Sequence, residues 1–232
     1  MKSFVIFNGV STDSFPNVAV SAMPGHRRGA MRYTEFYVVN RDGALHSFQG
    51  LTNFELPVKL VLLDARAETR YQINAWASGT GKLILSDDPT KAYKASVLRE
   101  IKWDRVPGNG GYFDTAMINF DCEPFLYEAQ ESTAVFTQDG MLNNPGTIKA
   151  IPFITVEGSG NASFSIAGQE ITIAGMTAGV PVNLDCENGY VFADDGAMTM
   201  TGDFPELPLG ISNVVLGSGV TKITVVPHWR WV

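Results

Sequence analysis

The stretch Phe120-Asp121-Cys122-Glu123-Pro124-Phe125-Leu126-Tyr127 lies near the middle of the 232-residue chain and separates two unlike halves. The half before it contains paired-strand patterns and one helix pattern. The half after it contains short apolar runs divided by Gly, Asn and Pro roughly every 8–12 residues, a spacing typical of all-β sandwiches and barrels. A chain of this length fits one large or two small domains, because domains usually span about 100–200 residues. The change of pattern at the central stretch predicts a division into residues 1–128 and 129–232.

Composition and charge exclude several classes of protein. Hydrophobic residues make up 45% of the chain and charged residues 18%, which predicts a folded protein with a substantial core. The formal net charge is -7, and the largest basic cluster is His26-Arg27-Arg28 with Arg32 nearby. Proteins that bind nucleic acid normally present a basic patch or stripe to the phosphates. We therefore expect no nucleic-acid binding.

The first half predicts a hairpin and the one helix of the chain. Tyr33 to Val39 and Ala44 to Phe48 form two strand patterns joined by Arg41-Asp42-Gly43. Residues 64–78 predict a helix in which Asp64 caps the first turn and Gly79 follows the last one. Ile73, Trp76 and Ala77 share the face of that helix that should pack on the core.

One helix against many strands predicts a mainly β protein, with two β-sandwich domains and a helix laid against the first. In the second half, Phe164/Ile166 and Ile171/Ile173 alternate on either side of Ala167-Gly168-Gln169 and predict a hairpin. The expected fold is therefore a helix-bearing β-sandwich followed by an all-β sandwich.

The cysteines indicate the redox state of the protein, and its apolar runs indicate its location. Cys122 and Cys186 could form one disulfide, but two free thiols buried as small hydrophobic residues are favoured. The apolar run Phe4 to Phe7 is shorter than the ~7–15 residues of a signal-peptide core. No run approaches the ~18 residues of a membrane span. We expect a protein that is made and kept in the cytosol unless it leaves by cell lysis.

The sequence predicts no catalytic, cofactor-binding or metal-binding residues. His26, His46 and His228 lack the clustered spacing of a zinc site. Asp121/Glu123 and Asp185/Glu187 each place two carboxylates on one strand face, the arrangement that a glycosidase pair would need. Solvated or interface charges are the favoured interpretation of both pairs, and hydrolysis by Asp185 and Glu187 is kept as a third hypothesis.

Trp229 and Trp231 share a face if the C-terminal segment is extended. Two such rings can stack on a sugar, or they can cover the apolar core. Core packing is favoured, and sugar stacking by Trp229 and Trp231 is the basis of the alternative function given below.

The order of short motifs along the chain resembles the distal tail protein of long, flexible-tailed bacteriophages. No single motif is specific, but their order and spacing extend over nearly the whole sequence. The motifs that carry the resemblance are Asn8-Gly9-Val10, Pro24-Gly25-His26-Arg27-Arg28-Gly29, Ile73-Asn74-Ala75-Trp76, Lys82-Leu83-Ile84-Leu85, Asp87-Asp88-Pro89, Tyr93-Lys94-Ala95, the central Phe120–Tyr127, Asn144-Pro145-Gly146, Leu184-Asp185-Cys186, Gly202-Asp203-Phe204-Pro205-Glu206-Leu207, Gly210, Asn213 and Pro227-His228-Trp229-Arg230.

The resemblance implies a virion structural protein without enzymatic activity. It implies that residues 1–128 build a homo-hexameric ring and that residues 129–232 form a galectin-like β-sandwich. The implied partners are the tail tube protein, the tape-measure protein and a tail-associated adhesion or lysin protein. DNA would pass through the ring without specific binding, at the tail tip of a virion assembled in the bacterial cytoplasm. The alternative function is a carbohydrate-binding β-sandwich that recognises host cell-wall sugars.

Overall fold

The computed structural model describes residues 3–108, 111–194 and 196–232. The chain divides into two compact units, Met1–Ala129 and Gln130–Val232. The predicted mainly β fold class is confirmed, with one α-helix among the described residues. Each unit has its own hydrophobic core and is described separately.

The described residues of the first unit form ten strands, one 3-10 helix and one α-helix. In chain order these are β1 Val5–Phe7, β2 Val10–Ser11, a 3-10 helix Thr12–Ser14, β3 Val18–Ala22, β4 Met31–Phe36, β5 Leu45–Leu51, β6 Phe54–Leu62, α1 Ala67–Trp76, β7 Gly79–Leu85, β8 Lys91–Val97, β9 Trp103–Gly108 and β10 Gly111–Glu128.

The main sheet of the first unit is antiparallel and is organised around β10. The strand order is β2-β1-β7-β8-β10-β6-β3, and β9 also pairs with β10. The N-terminal part of β10 pairs with β9 and β6, and its C-terminal part pairs with β8. This 18-residue strand therefore connects the two halves of the sheet.

The central stretch lies inside β10. Proline has no N–H to donate, so the sequence alone favours a break in the ladder at Pro124. The β10–β8 register does shift between Cys122 and Leu126, but the strand continues to Glu128. Phe120 and Tyr127 are buried, and Phe125 is half-buried.

The helix is shorter than the predicted 64–78. It runs over Ala67–Trp76, and Arg66 occupies the N-cap position without a capping side-chain hydrogen bond. The reason lies at Ala65, whose φ of 50° is incompatible with a right-handed helix. Asp64 belongs instead to the turn before the helix, where its carboxylate accepts from the Arg66 N–H at 3.4 Å.

An aromatic cluster joins the helix to the sheet. The rings of Phe7, Trp76 and Phe120 lie edge to face, with centroids 5.2–6.5 Å apart. The Trp76 indole N–H donates to the carbonyls of Phe7 and Val10. Edge-to-face aromatic pairs add to the stabilisation that burial provides, so this cluster fixes α1 against β1 and β10.

A buried carboxylate also ties the helix to the sheet. Asp114 on β10 is almost fully buried, and its Oδ1 accepts from Arg105 Nε of β9 at 3.1 Å. Its Oδ2 lies 3.5 Å from Arg70 Nη1 of α1. Buried charges are tolerated when they are paired, and here the pairing connects three elements.

The second unit contains twelve described strands, all short. In chain order these are β11 Ala134–Phe136, β12 Gly140–Asn144, β13 Phe153–Gly158, β14 Gly160–Ile166, β15 Gln169–Met176, β16 Val182–Asp185, β17 Tyr190–Ala193, β18 Gly196–Ala197, β19 Met200–Thr201, β20 Gly210–Leu216, β21 Val220–Val226 and β22 Arg230–Trp231.

Two antiparallel sheets form the body of the second unit. Their strand orders are β11-β21-β13-β16-β17-β18 and β12-β20-β14-β15-β19. The predicted hairpin is present as β14–β15, with Ala167 and Gly168 at φ values of 53° and 81°. Alternate residues of both sheets are buried in one core, as a sandwich requires.

Both cysteines are free thiols, as favoured over the disulfide. Burial raises the pKa of Cys122 and that of Cys186 to about 12 each, and Asp121 and Asp185 add a smaller contribution in the same direction. Cys122 is fully buried in the core of the first unit. Both thiols therefore serve as packing groups.

Candidate assembly surface

A two-stranded ribbon, residues 31–51, is the most exposed apolar feature of the first unit. Its strands β4 and β5 pair with each other and, within the part of the chain that the structure describes, with no further strand. Every residue of β4 is exposed, and so are the first six residues of β5. An isolated two-stranded ribbon is at best marginally stable in water, so the contacts at the base of this ribbon matter for its stability.

One face of the ribbon is aromatic. Tyr33 lies opposite Phe48, and Glu35 lies opposite His46. The centroid of the His46 ring lies 4.9 Å from that of the Tyr33 ring and 6.5 Å from that of the Phe48 ring. Tyr33 is 50% exposed and Phe48 is 68% exposed. The ribbon thus holds an ordered set of three rings toward solvent.

Hydrogen bonds fix the far end of the aromatic face. The Tyr37 hydroxyl donates to Glu35 Oε2 at 2.7 Å, and His46 Nε2 lies 3.4 Å from Glu35 Oε1. The hydrogen bond from Tyr37 is the main cause of the lowered pKa of Glu35, with His46 contributing. Glu35 therefore links Tyr37 to His46 at this end of the face.

The opposite face is polar at its centre. Thr34 lies opposite Ser47, and Gln49 Nε2 donates to Thr34 Oγ1 at 2.7 Å. Phe36 and Leu45 lie on this face near the tip. The two faces of the ribbon therefore differ in chemistry, and only one is aromatic along its length.

The base of the ribbon is anchored to the main sheet through His26. His26 Nδ1 lies 3.1 Å from the hydroxyl of Tyr93 on β8, and His26 Nε2 lies 3.2 Å from Asp87 Oδ2. The Arg27 guanidinium donates to the Glu55 carbonyl at 3.2 Å. Burial raises the pKa of Tyr93, so its hydroxyl stays protonated.

Gly29 and Pro124 bring the central stretch against this base. The Ala30 carbonyl accepts from the Thr52 N–H at 2.8 Å, which closes the ribbon where it leaves the sheet. A Cβ at Gly29 would overlap the Thr52 carbonyl oxygen and lie 3.0 Å from Pro124 Cβ. Only glycine fits at this close approach.

Charge is unequally divided between the units. Of the 24 acidic and 17 basic residues, 10 and 3 lie in residues 130–232, which leaves 14 and 14 in residues 1–129. The first unit thus has no net charge, and the second carries the whole -7. Copies of the first unit can meet without net repulsion, whereas copies of the second unit repel one another.

Trp229 and Trp231, predicted for sugar stacking in the alternative function, lie at the C-terminal end of the second unit. Trp229 is 6% exposed and belongs to the core of that unit, and Trp231 packs against the same core. The neighbouring Arg230 guanidinium donates to the Lys149 carbonyl at 2.7 and 3.0 Å. Sugar stacking stays a prediction, although this burial leaves little of the Trp229 ring for a ligand.

The two predicted carboxylate pairs take part in local hydrogen bonds. Asp121 Oδ2 accepts from Asn53 at 3.0 Å, and Glu123 Oε2 accepts from the Tyr127 hydroxyl at 3.5 Å. Asp185 caps the turn before β17 by accepting from Asn188, which lowers the pKa of Asp185. A general acid needs a raised pKa, so Asp185 is unsuited to that role.

Neither a metal site nor a membrane span is present in residues 3–108, 111–194 and 196–232. These residues contain no group of three or more His, Cys, Asp or Glu side chains that could hold a metal ion. Within the same ranges, no helix is long and apolar enough to cross a membrane.

Sequence patterns predicted the ribbon as a hairpin but not as an exposed surface. Its strands resemble buried ones because Tyr33, Phe36, Leu45 and Phe48 are apolar. The available signal was that apolar residues occupy both alternating positions, while no helix pattern lies nearby to cover either face. Exposure itself depends on which strands pair, and that is a tertiary property.

Comparison with known proteins gives a consistent result for the fold. No protein-family model matches the chain, and no curated protein matches its sequence. Among solved structures, it is similar to the Dit protein (gp 19.1) of SPP1, a hub adsorption protein of phages that infect Gram-positive bacteria. The TM-score is 0.71 at 16% identity, with 97% of this chain and 98% of that chain covered.

A second similar structure is a chain of the phage P2 baseplate in its activated conformation with Ca. Its TM-score is 0.50 at 11% identity, covering 97% of this chain and 98% of that chain. Both matches extend through both units. The fold that the sequence resemblance implied is confirmed: this chain has, over nearly its whole length, the fold of a phage hub adsorption protein.

Proposed function

We propose that this protein is a structural component of a phage tail, the distal tail protein that joins the tail tube to the host-adhesion tip. The observation that carries this proposal is the match to the SPP1 hub adsorption protein across both units, at nearly equal coverage of both chains. A shared fold alone does not define function. The exposed aromatic ribbon and the unequal charges of the units add independent support for an assembly role.

In this proposal the first unit, about residues 1–128, forms a homo-hexameric ring around a channel. Ring closure needs two different surfaces on each copy that meet by rotation. The absence of net charge on the first unit favours contacts between copies of that unit, whereas the acidic second units repel one another. DNA passes the channel without specific binding, because the first unit has no net positive charge with which to hold the phosphates.

The second unit, about residues 129–232, is proposed as a galectin-like β-sandwich that contacts the adhesion or lysin protein of the tip. The tail tube protein and the tape-measure protein are the proposed partners of the ring. The protein acts in the virion, after assembly in the bacterial cytoplasm, and performs no catalysis.

Native mass spectrometry and negative-stain electron microscopy of the full chain test this proposal. We expect particles of six times the 25.2 kDa chain mass with sixfold symmetry and a central opening. A protein that stays monomeric at high concentration contradicts the ring. The carbohydrate-binding alternative is tested on a glycan array. Specific saccharide binding that is lost in Trp229→Ala would favour it, with Trp231→Ala as the second variant.

A further inference from the structure

The second unit exposes two aromatic rings, and both lie on one strand. Of the aromatic residues that the structure describes in Gln130–Val232, only Tyr190 and Phe192 are exposed, at 65% and 40%. They are two positions apart on β17, so both side chains project from the outer face of its sheet. The alternate residues Val191 and Ala193 face the core. Aromatic rings with a few well-placed polar groups are typical of ligand sites.

Uncharged polar groups lie beside the Phe192 ring. Asn183 of β16 is directly opposite Phe192, and Thr155 of β13 is opposite Asn183. Thr155 Oγ1 donates to Asn183 Oδ1 at 2.8 Å. This hydrogen bond orients the amide and leaves its Nδ2 N–H groups available to a ligand. On the other side, Phe192 is opposite Ala197 of β18, whose methyl group is too small to cover the ring.

A carboxylate lies beside the Tyr190 ring. Asp185 of β16 is directly opposite Tyr190. Its two carboxylate oxygens accept from the backbone N–H and the side-chain Nδ2 of Asn188, at 3.0 and 2.8 Å. An ionised carboxylate has about four acceptor sites, so Asp185 is held in a fixed orientation and can still accept from a ligand hydroxyl. Two rings, an amide and a carboxylate therefore share one face.

The charge of the second unit selects against anionic ligands. Each of its three basic residues already has a partner within the unit: Lys149 pairs with Glu206, Lys222 pairs with Glu157, and the Arg230 guanidinium donates to the Lys149 carbonyl. Ten acidic residues against these three leave a net charge of -7, which repels phosphate and carboxylate groups. The matching ligand is neutral, with C–H groups for the rings and hydroxyls for the polar side chains.

We propose that this face of β16 and β17 binds a neutral saccharide whose pyranose rings stack on Tyr190 and Phe192. A pyranose carries C–H groups on its faces and hydroxyls around its edge, so it contacts aromatic rings and polar side chains at once. Asn183 Nδ2 donates to one hydroxyl, and the Asp185 carboxylate accepts from another. This is a further activity of the second unit that does not require the ring. It also uses other residues than the C-terminal tryptophans of the alternative function.

A glycan array followed by isothermal titration calorimetry tests the site on the full chain. The array carries neutral oligosaccharides of glucose, galactose and N-acetylglucosamine, with sulfated and sialylated glycans as an anionic arm. The wild type should bind a neutral glycan, and Tyr190→Ala/Phe192→Ala should bind it about a hundredfold more weakly. Asn183→Ala should weaken binding about tenfold, because one hydrogen bond to the ligand is lost. The matched control Met141→Ala/Ile211→Ala removes two exposed apolar side chains from the other sheet and should bind like the wild type.

A measurement on the wild-type protein guards against a variant that fails to fold. Saturating glycan should protect Tyr190 from hydroxyl radicals. A wild type that binds no neutral glycan overturns the site, as does binding that persists in Tyr190→Ala/Phe192→Ala. Binding of anionic glycans alone, or of a lysine-rich peptide in place of sugar, also overturns it. Because none of these measurements reports on the ring, the proposed function is judged separately by mass spectrometry and microscopy.

Discussion

The two units bury the apolar faces of their β-sheets in different ways. The second unit buries alternate residues of two sheets against each other and carries the entire net charge of -7. The first unit has no net charge, buries apolar residues of its long sheet in a core to which α1 contributes Ile73, and leaves the aromatic ribbon exposed. The second unit thus covers the apolar faces of its own sheets, whereas the first leaves aromatic side chains of β4 and β5 in solvent.

Removing a core ring should separate the stabilities of the two units. Phe120→Ala deletes the ring that packs on Phe7 and Trp76 and should cost the first unit about 3–5 kcal/mol. Ile154→Ala is the matched change in the core of the second unit, with an expected cost of about 2–5 kcal/mol. Differential scanning calorimetry should show each variant shifting a different transition. A common shift of all transitions in both variants would contradict independent cores.

The two cysteines allow the cores of the two units to be compared by the reactivity of their thiols. Burial raises both pKa values from 9.0 to about 12, so thiolate at neutral pH is about a thousandfold scarcer than for a free thiol. Iodoacetamide labelling followed by mass spectrometry should show that both thiols react slowly in the native protein. Because only Cys122 is fully buried, Cys186 should react first as denaturant is added. Rapid native labelling of Cys122 would contradict the packing of the first core.

The base of the ribbon can be altered without touching either face. Gly29→Ala forces a Cβ onto the Thr52 carbonyl and should destabilise the first unit by about 1–3 kcal/mol. Gly25→Ala is the control in the same segment, since a Cβ there meets no atom within 4 Å. Urea denaturation measures both. Equal stability of the two variants would show that the ribbon base relaxes freely.

The smallest expected effect is the pH response of the ribbon. The folded pKa of Glu35 lies below its ordinary value of 4.5, because Tyr37 donates to the carboxylate. A depressed folded pKa contributes stability above the unfolded pKa, and that contribution is lost as pH falls through the lower folded value. Hydrogen exchange of ribbon amides should therefore accelerate in that acidic range. Tyr37→Phe should return the Glu35 pKa, measured by NMR titration, toward 4.5. An unchanged pKa would exclude the Tyr37 hydrogen bond as its cause.

The local elements were predictable because their causes are local. The β14–β15 hairpin follows from alternation around Ala167 and Gly168, and the buried face of α1 follows from the spacing of Ile73, Trp76 and Ala77. The start of α1 was predicted three residues too early. Asp64 is a good capping residue and therefore favoured a helix start at that position. The sequence did not indicate that the next residue, Ala65, has a left-handed backbone conformation.

The amino-acid sequence alone was sufficient for the mainly β class, the single helix pattern and the free state of the cysteines. These follow from composition, periodicity and residue chemistry. It took tertiary packing to establish that β10 continues through Pro124 and that the ribbon stands uncovered. An apolar residue at an alternating position looks the same in a sequence whether its face is covered or exposed. The physical difference arises from distant strands that pair, or fail to pair, beside it.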